Sequence, residues 1–246
     1  IATAITTNVS TKKAGKTPFK KEDFLKAVQD DAFIEKMVAK YPKLLANLPS
    51  KDSGVRYRLE GYLFPATYNY GKDTTVKEMI DQMLAAMDQN LSPYYETLES
   101  KNINVNEVLT LASLVEKEGA TDQDRKDIAS VFYNRLNQDM PLQSNIAILY
   151  AEGKLGQKTT LKEDATINTE LDSPYNIYKN TGLMPGPVDN PGVSAIEAAV
   201  NPSKTDYLYF VANVENGEVF FAKTYEEHNK NVEEHVNSKL TQASSN

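Results

Sequence analysis

The sequence lacks the residues on which several common kinds of active site depend. It contains no cysteine, so it forms no disulfide, no cysteine-ligated zinc site and no cysteine nucleophile. Its only two histidines, His228 and His235, lie on one predicted helix, where two surface histidines are a better interpretation than a metal site. A serine triad would need one of these same histidines, and no G-x-S-x-G motif is present. The sequence therefore implies neither a metal nor a cofactor.

The sequence also lacks a long apolar run and an excess of positive charge. No stretch of about 18 consecutive apolar residues occurs, so no membrane span is predicted within the chain. The net charge of −7 argues against a nucleic-acid-binding surface, and neither a P-loop nor a dinucleotide-binding glycine motif is present. No initiator methionine or signal peptide is found at Ile1, so we expect a processed or truncated piece of a longer protein.

Helix signals are frequent along the chain. Apolar residues recur at helical spacing between Val105 and Val115, and again over 128–132, so two helices are expected to pack together around a corner at Gly119. Capping boxes, in which a threonine and the acidic residue three positions later satisfy each other's backbone groups, predict the starts of three helices. They are Thr75 with Glu78, Thr121 with Asp124, and Thr224 with Glu227.

Strand signals are concentrated late in the chain. The segments "YLYFVANV" (207–214) and "EVFFA" (218–222) are rich in aromatic and β-branched residues, and Asn216-Gly217 between them predicts a β-hairpin. A long irregular stretch rich in proline and glycine, from about 152 to 192, precedes the hairpin. Irregular stretches of this length inside a domain are usually functional or disordered. We predict an α+β fold, mainly helical, with a late hairpin or small sheet and this long loop region.

The segment "LASLVEKEGA" (111–120) contains the best candidates for acid–base chemistry. It is apolar and helical in character, and it ends in Glu116, Glu118 and then Gly119. Cleavage of a glycosidic bond needs an acid that stays protonated near neutral pH, and both burial and a helix C-terminus raise the pKa of a glutamate. Helical geometry does not decide between the two glutamates. Taken alone, the segment is better explained by two ordinary glutamates at a helix end.

A second segment adds aromatic side chains to these carboxylates. "RLEGYLFPATYNY" (58–70) places Tyr62, Phe64, Tyr68 and Tyr70 beside Glu60, and Pro65 makes a regular central strand improbable. Aromatic faces stack on the apolar faces of sugar rings, so the cluster is typical of a saccharide groove. An aromatic corner of the hydrophobic core explains the same residues, and for this segment alone it is the better explanation.

These segments together resemble the MltG (YceG-like) family of endolytic murein transglycosylases. The resemblance covers about residues 55–235, with the motifs in the family's order. Each motif is weak alone, whereas the ordered set is highly specific. The motifs are "LEGYLFPATY", "LASLVEKE", "ASVFYNRL", "PLQS", "SPYNIY", "GLMPGPVDNPG", "YLYFV" and "EEHN".

The resemblance implies a membrane-anchored enzyme whose catalytic domain lies outside the cytoplasm, on the outer face of a bacterial cell membrane. Family members carry an N-terminal transmembrane helix and a small LysM-like subdomain. We expect residues 1–50 to be the remnant of that region with linking helices, 51–240 the catalytic domain, and 241–246 a polar tail. The implied partners are peptidoglycan glycan strands and proteins of the cell-wall synthesis machinery, with the fragment itself soluble.

The resemblance also implies the reaction and its residues. The second glutamate of the E-K-E element, Glu118, is the implied catalytic residue, first as acid and then as base. The bond between N-acetylmuramic acid and N-acetylglucosamine is cleaved within the strand, leaving a 1,6-anhydromuramic acid end. Arg135 could pair with Glu116 or Glu60, although a structural role is favoured. The implied substrate-binding residues are Glu60, Tyr62, Phe64, Gln143, Tyr175, Asn176, Tyr178 and Asn190.

The sequence departs from the family pattern at several positions, and two other functions compete with the implied one. Asn145-Ile146-Ala147 stands where relatives usually show Asp-Pro-Thr, Ala66 replaces a usual aspartate, and Val219 replaces a histidine found in some relatives. These changes bear on substrate contacts and leave Glu118 in place. A non-catalytic glycan-binding or scaffold protein, and a hydrolytic muramidase of similar shape, are the alternatives.

Overall fold

The computed structural model describes residues 1–8, 15–157, 166–213 and 216–238. The chain forms two compact units, Ile1–Asn106 and Glu107–Asn246. The predicted α+β class is confirmed, because helices predominate and a two-stranded antiparallel sheet lies near the C-terminus. The predicted polar tail over 241–246 lies outside the described residues. The predicted boundary at 50/51 stays a prediction.

The first unit is mainly helical. Its longest helix, α3, begins with the predicted capping box of Thr75 and Glu78 and buries one apolar face along its length. A short pair of strands lies near the N-terminus, with Thr7 opposite Lys16. The elements are β1 Thr7–Asn8, β2 Gly15–Lys16, α1 Lys21–Ala27, α2 Asp31–Lys40, α3 Val76–Leu91 and α4 Tyr95–Ser100.

The second unit is mainly helical and contains a two-stranded antiparallel sheet near its C-terminal end. Two more predicted capping boxes are confirmed, at Thr121 and at Thr224. Within the described residues, the stretches 152–157 and 166–192 contain turns without a helix or strand, as the proline and glycine content predicts. The elements are α5 Val105–Glu118, α6 Asp122–Leu136, α7 Asn145–Ala151, α8 Val193–Val200, β3 Tyr209–Ala212, β4 Val219–Ala222 and α9 Tyr225–Val232, which continues as a π-helical turn Glu233–Asn237.

The corner between α5 and α6 depends on a residue without a side chain. A Cβ atom at Gly119 would lie 2.6 Å from Arg125 Cγ and 3.0 Å from the Arg125 backbone nitrogen. Since real Cβ atoms essentially never show a contact of 2.6 Å, Gly119 allows the end of α5 to approach α6 closely. The last residue of α5, Glu118, immediately precedes this corner.

The predicted hairpin is confirmed, with a longer connection than a two-residue turn. Tyr209 pairs with Ala222 and Ala212 pairs with Val219 in an antiparallel ladder. The Gly217 N–H donates to the Asn213 carbonyl over 2.8 Å, and Gly217 has a φ of 74°, which favours glycine. The connection includes 214–215, which lie outside the described residues.

Candidate active site

Three successive side chains at the end of α5 contact three different partners. Glu116 Oε2 accepts a hydrogen bond from the Gly192 backbone N–H over 3.2 Å. The next residue, Lys117, forms an ion pair of 2.6 Å with Asp189. Glu118 Oε1 accepts a hydrogen bond of 2.6 Å from the Ser144 hydroxyl. The E-K-E element therefore serves two purposes, because its first two residues bind one loop and its third contacts another.

Glu116 belongs to a set of attachments that hold segment 188–192 along α5. One turn earlier, the fully buried Ser113 hydroxyl accepts a 3.0 Å hydrogen bond from the Val188 N–H and donates to a carbonyl of its own helix. Gly192, which Glu116 binds, is the residue immediately before α8. Glu116 thus anchors the start of α8, a structural role that accounts for its carboxylate.

Glu118 lies in a different electrostatic setting. Its side chain is half-buried at the C-terminus of α5, where the unpaired carbonyls of a helix disfavour a negative charge. The Ser144 hydroxyl opposes this effect, because a donor to a carboxylate oxygen favours the charged form.

Ser144 was not among the predicted site residues. It is 2% exposed, and its hydroxyl oxygen also accepts from the Ile146 N–H over 3.2 Å, which caps the start of α7. The sequence predicts its capping role, because Ser144 precedes the helical segment "NIAILYA" and serine is a preferred N-cap residue. Its contact with Glu118 joins residues 26 positions apart and depends on the tertiary fold.

Arg135 is a buried cation on the last turn of α6, with 6% of its surface exposed. Burial lowers the pKa of its guanidinium group. Among the described residues its hydrogen bonds go to acceptors other than Glu116 or Glu60, as the favoured structural role predicts. The acceptors are Leu208 O at 2.6 Å, Pro141 O at 2.9 Å, Leu142 O at 3.2 Å and Gln143 Oε1 at 3.0 Å.

Gln143 occupies an unusual backbone conformation between Arg135 and Ser144. Its φ of 57° lies in the left-handed region, where a residue other than glycine pays about 1–2 kcal/mol. Its side chain is exposed, with Oε1 bound to Arg135, and its N–H donates to the Ile177 carbonyl over 3.0 Å. Strained residues that the surrounding structure holds in place are common at functional sites.

The turn over residues 173–180 packs against the segment that contains Gln143 and Asn145. Asn176 is fully buried, and its amide donates to the carbonyls of Thr169 and Leu171 at 2.9 and 2.7 Å. The half-buried Tyr178 donates from its hydroxyl to Asn145 Oδ1, at the first residue of α7. The Tyr175 ring is buried, with its centroid 4.9 Å from that of Tyr150. This turn therefore presents Tyr178 toward α7, whereas Asn176 holds the turn together.

The remaining predicted residues are divided between the two units. Glu60, Tyr62 and Phe64 lie in the first unit, and the structure does not test their approach to a substrate. Tyr62 is completely buried, with its hydroxyl donating to Asn106 over 3.1 Å, and burial raises the pKa of its phenol. Glu60 and Phe64 are half-buried. Asn190 is half-buried in segment 188–192, and all of these assignments stay predictions.

Comparison with known proteins connects this arrangement to one family. The YceG-like family model matches residues 3–234. The chain is 67% identical over 219 residues to a protein of Streptococcus pneumoniae serotype 2, strain D39, and 42% identical over 234 residues to one of Bacillus subtilis strain 168. Both relatives are named endolytic murein transglycosylase. These matches cover 89% and 95% of this chain.

A solved structure resembles the fold as well. A crystal structure of a yceG-like protein from Listeria monocytogenes matches with a TM-score of 0.76 and 46% identity, over 86% of this chain and 67% of that one. The chain spans 40% of the length of the pneumococcal relative and 63% of that of the Bacillus relative. The chain therefore matches only a part of each of these two relatives, which are longer proteins.

Proposed function

The chain belongs to the YceG-like family, and we propose that the protein is an endolytic murein transglycosylase, a lyase that cleaves peptidoglycan glycan strands internally. The observation that carries the proposal is the contrast within the E-K-E element. Glu116 and Lys117 are engaged in holding segment 188–192, whereas Glu118 is half-buried against a buried serine donor. Its carboxyl is thus the one of the two whose setting suits proton transfer.

Glu118 alone supplies the acid and the base of the proposed reaction. As an acid it protonates the glycosidic oxygen, and the bond from that oxygen to the anomeric carbon of N-acetylmuramic acid breaks. As a carboxylate it then accepts the proton of the sugar's own 6-hydroxyl, whose oxygen forms a new bond to the anomeric carbon. The carboxyl group is regenerated, no water is consumed, and the product ends in 1,6-anhydromuramic acid. Most glycosidases instead divide this work between two carboxylates.

The Ser144 hydroxyl has a defined part in this scheme. By donating to Glu118 Oε1 it fixes the rotation of the carboxyl group and so sets the direction of Oε2. A proton donor must be aligned with its acceptor to within hydrogen-bonding distance, and small misplacements of catalytic groups are costly. We therefore assign orientation of the Glu118 carboxyl group to Ser144.

The predicted binding residues divide into two groups by their surroundings. Gln143 is exposed and Tyr178 half-buried, and both belong to the segments that flank Ser144. We assign them to contact with the sugars, by hydrogen bonding and by stacking. The buried Tyr175 and Asn176 are assigned to support of the turn that presents Tyr178. The completely buried Tyr62 is likewise assigned to support of its own segment. For Glu60, Phe64 and Asn190 the proposed contact with substrate rests on the family resemblance.

The proposed substrate places the site of action outside the cytoplasm, because peptidoglycan surrounds the bacterial cell. No helix among the described residues is long and apolar enough to cross a membrane. We propose that the whole protein is membrane-anchored and works with the cell-wall synthesis machinery, as the family resemblance implies.

Product analysis tests the proposed function and separates it from the two alternatives. Purified protein is incubated with peptidoglycan, and the soluble glycans are analysed by mass spectrometry. A transglycosylase produces internal fragments with anhydro ends. A hydrolytic muramidase would produce reducing ends, which carry the mass of one added water. A non-catalytic glycan-binding protein would produce no new ends, and either of these two results would overturn the proposal.

A further inference from the structure

We propose that Arg135 is a positioning residue of the active site, which holds segment 141–144 so that the Ser144 hydroxyl meets Glu118. The inference rests on the proposed role of Glu118 and adds Arg135 as a residue that acts on it indirectly. Arg135 does not contact Glu118. It acts through the carbonyls of Pro141 and Leu142, and through the side chain of Gln143.

The guanidinium group of Arg135 donates hydrogen bonds in two directions. One nitrogen, Nη1, donates to three acceptors on the segment that immediately precedes Ser144. Nε donates to the Leu208 carbonyl over 2.6 Å, and Cζ lies 5.1 Å from the centroid of the Tyr209 ring. The segment before Ser144 is thereby tied to α6 and to the start of β3. A rigid fork of donors suits this arrangement, whereas the single ammonium of lysine does not.

The position of Ser144 needs this support for two reasons. Its hydroxyl must satisfy Glu118 and the Ile146 N–H at the same time, with bonds of 2.6 and 3.2 Å. The preceding residue, Gln143, is held at a φ of 57°, which a glutamine adopts only when its neighbours compel it. Without Arg135 the backbone of Gln143 would relax, and Ser144 would move away from at least one of its partners.

A buried charge of this kind lowers the stability of the folded protein unless its hydrogen bonds are satisfied. Arg135 is nearly buried, yet among the described residues it binds neutral carbonyls, an amide and an aromatic ring, and no carboxylate. A hydrophobic residue would fill the same space and leave several carbonyls without a donor. The arrangement is therefore explained by what the guanidinium holds in place.

The test compares Arg135→Lys and Gln143→Ala with a matched control, Asn134→Ala. Asn134 is the neighbouring residue on α6, and its amide donates to the carbonyls of Thr205 and Tyr207 at 2.8 and 2.9 Å. Its removal weakens the same helix–strand junction without touching segment 141–144. We expect Arg135→Lys to lower kcat about tenfold with KM changed by less than about twofold. Gln143→Ala should lower kcat by a similar factor, and it should also raise KM because it removes a proposed sugar contact. Asn134→Ala is expected to lower stability while leaving kcat near the unmodified value.

A second readout follows the carboxyl group directly and does not require activity. The carboxyl carbon of Glu118 is observed by NMR in protein labelled with ¹³C at glutamate, with Glu118→Gln used to assign the signal. Loss of the Ser144 donor should move the titration midpoint of this carboxyl to higher pH, since the donor favours the carboxylate. We expect Ser144→Ala, Arg135→Lys and Gln143→Ala to shift the midpoint in the same direction, and Asn134→Ala and Ser144→Thr to leave it in place.

The two readouts separate failure of this inference from failure of the proposed function. If the unmodified protein produces no anhydro ends, but the titration still moves in Arg135→Lys and Gln143→Ala, the positioning role stands and the transglycosylase assignment fails. If both variants behave like Asn134→Ala in titration and in kcat, Arg135 is a purely structural residue and the inference is wrong. Gln143→Ala keeps the test decisive should Arg135→Lys fail to fold.

Discussion

The Ser144 hydroxyl donates to Glu118 Oε1 over 2.6 Å, which joins the start of α7 to the end of α5. The serine oxygen accepts from the Ile146 N–H at the same time, so one small side chain caps a helix and orients a carboxyl group. The proposed role of Glu118 depends on that contact. Four predictions follow from it and from its surroundings.

Replacement of Ser144 should separate its two roles. Ser144→Ala removes the cap of α7, which costs about 1 kcal/mol of folding free energy, and also removes the donor to Glu118. We expect release of anhydro products to fall about tenfold, as is typical when a group that orients a catalytic residue is lost. Ser144→Thr keeps both bonds and should retain most activity. Urea unfolding and product analysis provide the measurements.

A cap at a distance from Glu118 supplies the control for Ser144→Ala. Thr224 caps α9 through the Glu227 N–H, and Thr224→Ala should cost a similar free energy of unfolding. Activity should be unchanged in this variant. Equal losses of activity in Thr224→Ala and Ser144→Ala would mean that lost stability alone explains the effect, and the orienting role of Ser144 would be abandoned.

Replacement of Gly119 should disturb the corner that carries Glu118. The new Cβ of Gly119→Ala would meet Arg125 at 2.6 and 3.0 Å, so the two helices must move apart at a cost of about 1–3 kcal/mol. Gly71→Ala is the matched control, because its Cβ would have an ordinary contact of 3.6 Å with Thr74 Oγ1. Denaturant midpoints of both variants check the prediction, and similar midpoints would contradict the close approach at Gly119.

Stability should fall as pH is lowered through the titration of His228. Burial, and secondarily the charge of Arg135, lower the pKa of His228 below its ordinary value of 6.5. Near pH 6.5 the unfolded chain therefore binds a proton at His228, whereas the folded protein binds this proton only at lower pH. This contribution to stability is present above pH 6.5 and is lost as pH falls toward the folded-state pKa.

The measurement compares denaturant midpoints at about pH 7.5 and about pH 5.5 in the unmodified protein and in His228→Gln. Glutamine does not titrate, so the variant should lose less stability on acidification. His228 stacks on the Tyr209 ring at 5.3 Å, and the comparison of one variant with itself at two pH values removes the effect of lost packing. An unaltered pH dependence in His228→Gln would show that other groups account for it.

Features with local sequence signals could be predicted well. All three capping boxes are present, and the hairpin forms between the predicted segments. Both signals act over a few residues: a threonine with an acidic residue three positions later starts a helix, and an Asn-Gly between aromatic runs forms a turn. The irregular nature of the described residues 152–157 and 166–192 was predictable for the same reason, since proline and glycine limit regular structure.

The site was predictable only in part, because its contacts are not local. Helical geometry could not separate Glu116 from Glu118, and the choice of Glu118 came from family resemblance. The structure distinguishes them by partners 76 and 26 positions away, Gly192 and Ser144. Arg135 was expected to have a structural role, yet the carbonyls that it binds have no signature in the sequence. Ser144 was overlooked beside Gln143, because a serine before a helix already has a sufficient local explanation.

The central claim is that Glu118, and not Glu116, performs the proton transfers. The direct test is mass spectrometry of peptidoglycan digested with Glu118→Gln and, in parallel, with Glu116→Gln. Each replacement keeps the size of the side chain and an oxygen that can accept the existing hydrogen bond, so both proteins should fold. We predict that Glu118→Gln releases no anhydro ends and that Glu116→Gln releases nearly the normal amount. Full activity of Glu118→Gln with loss of activity in Glu116→Gln would contradict the account.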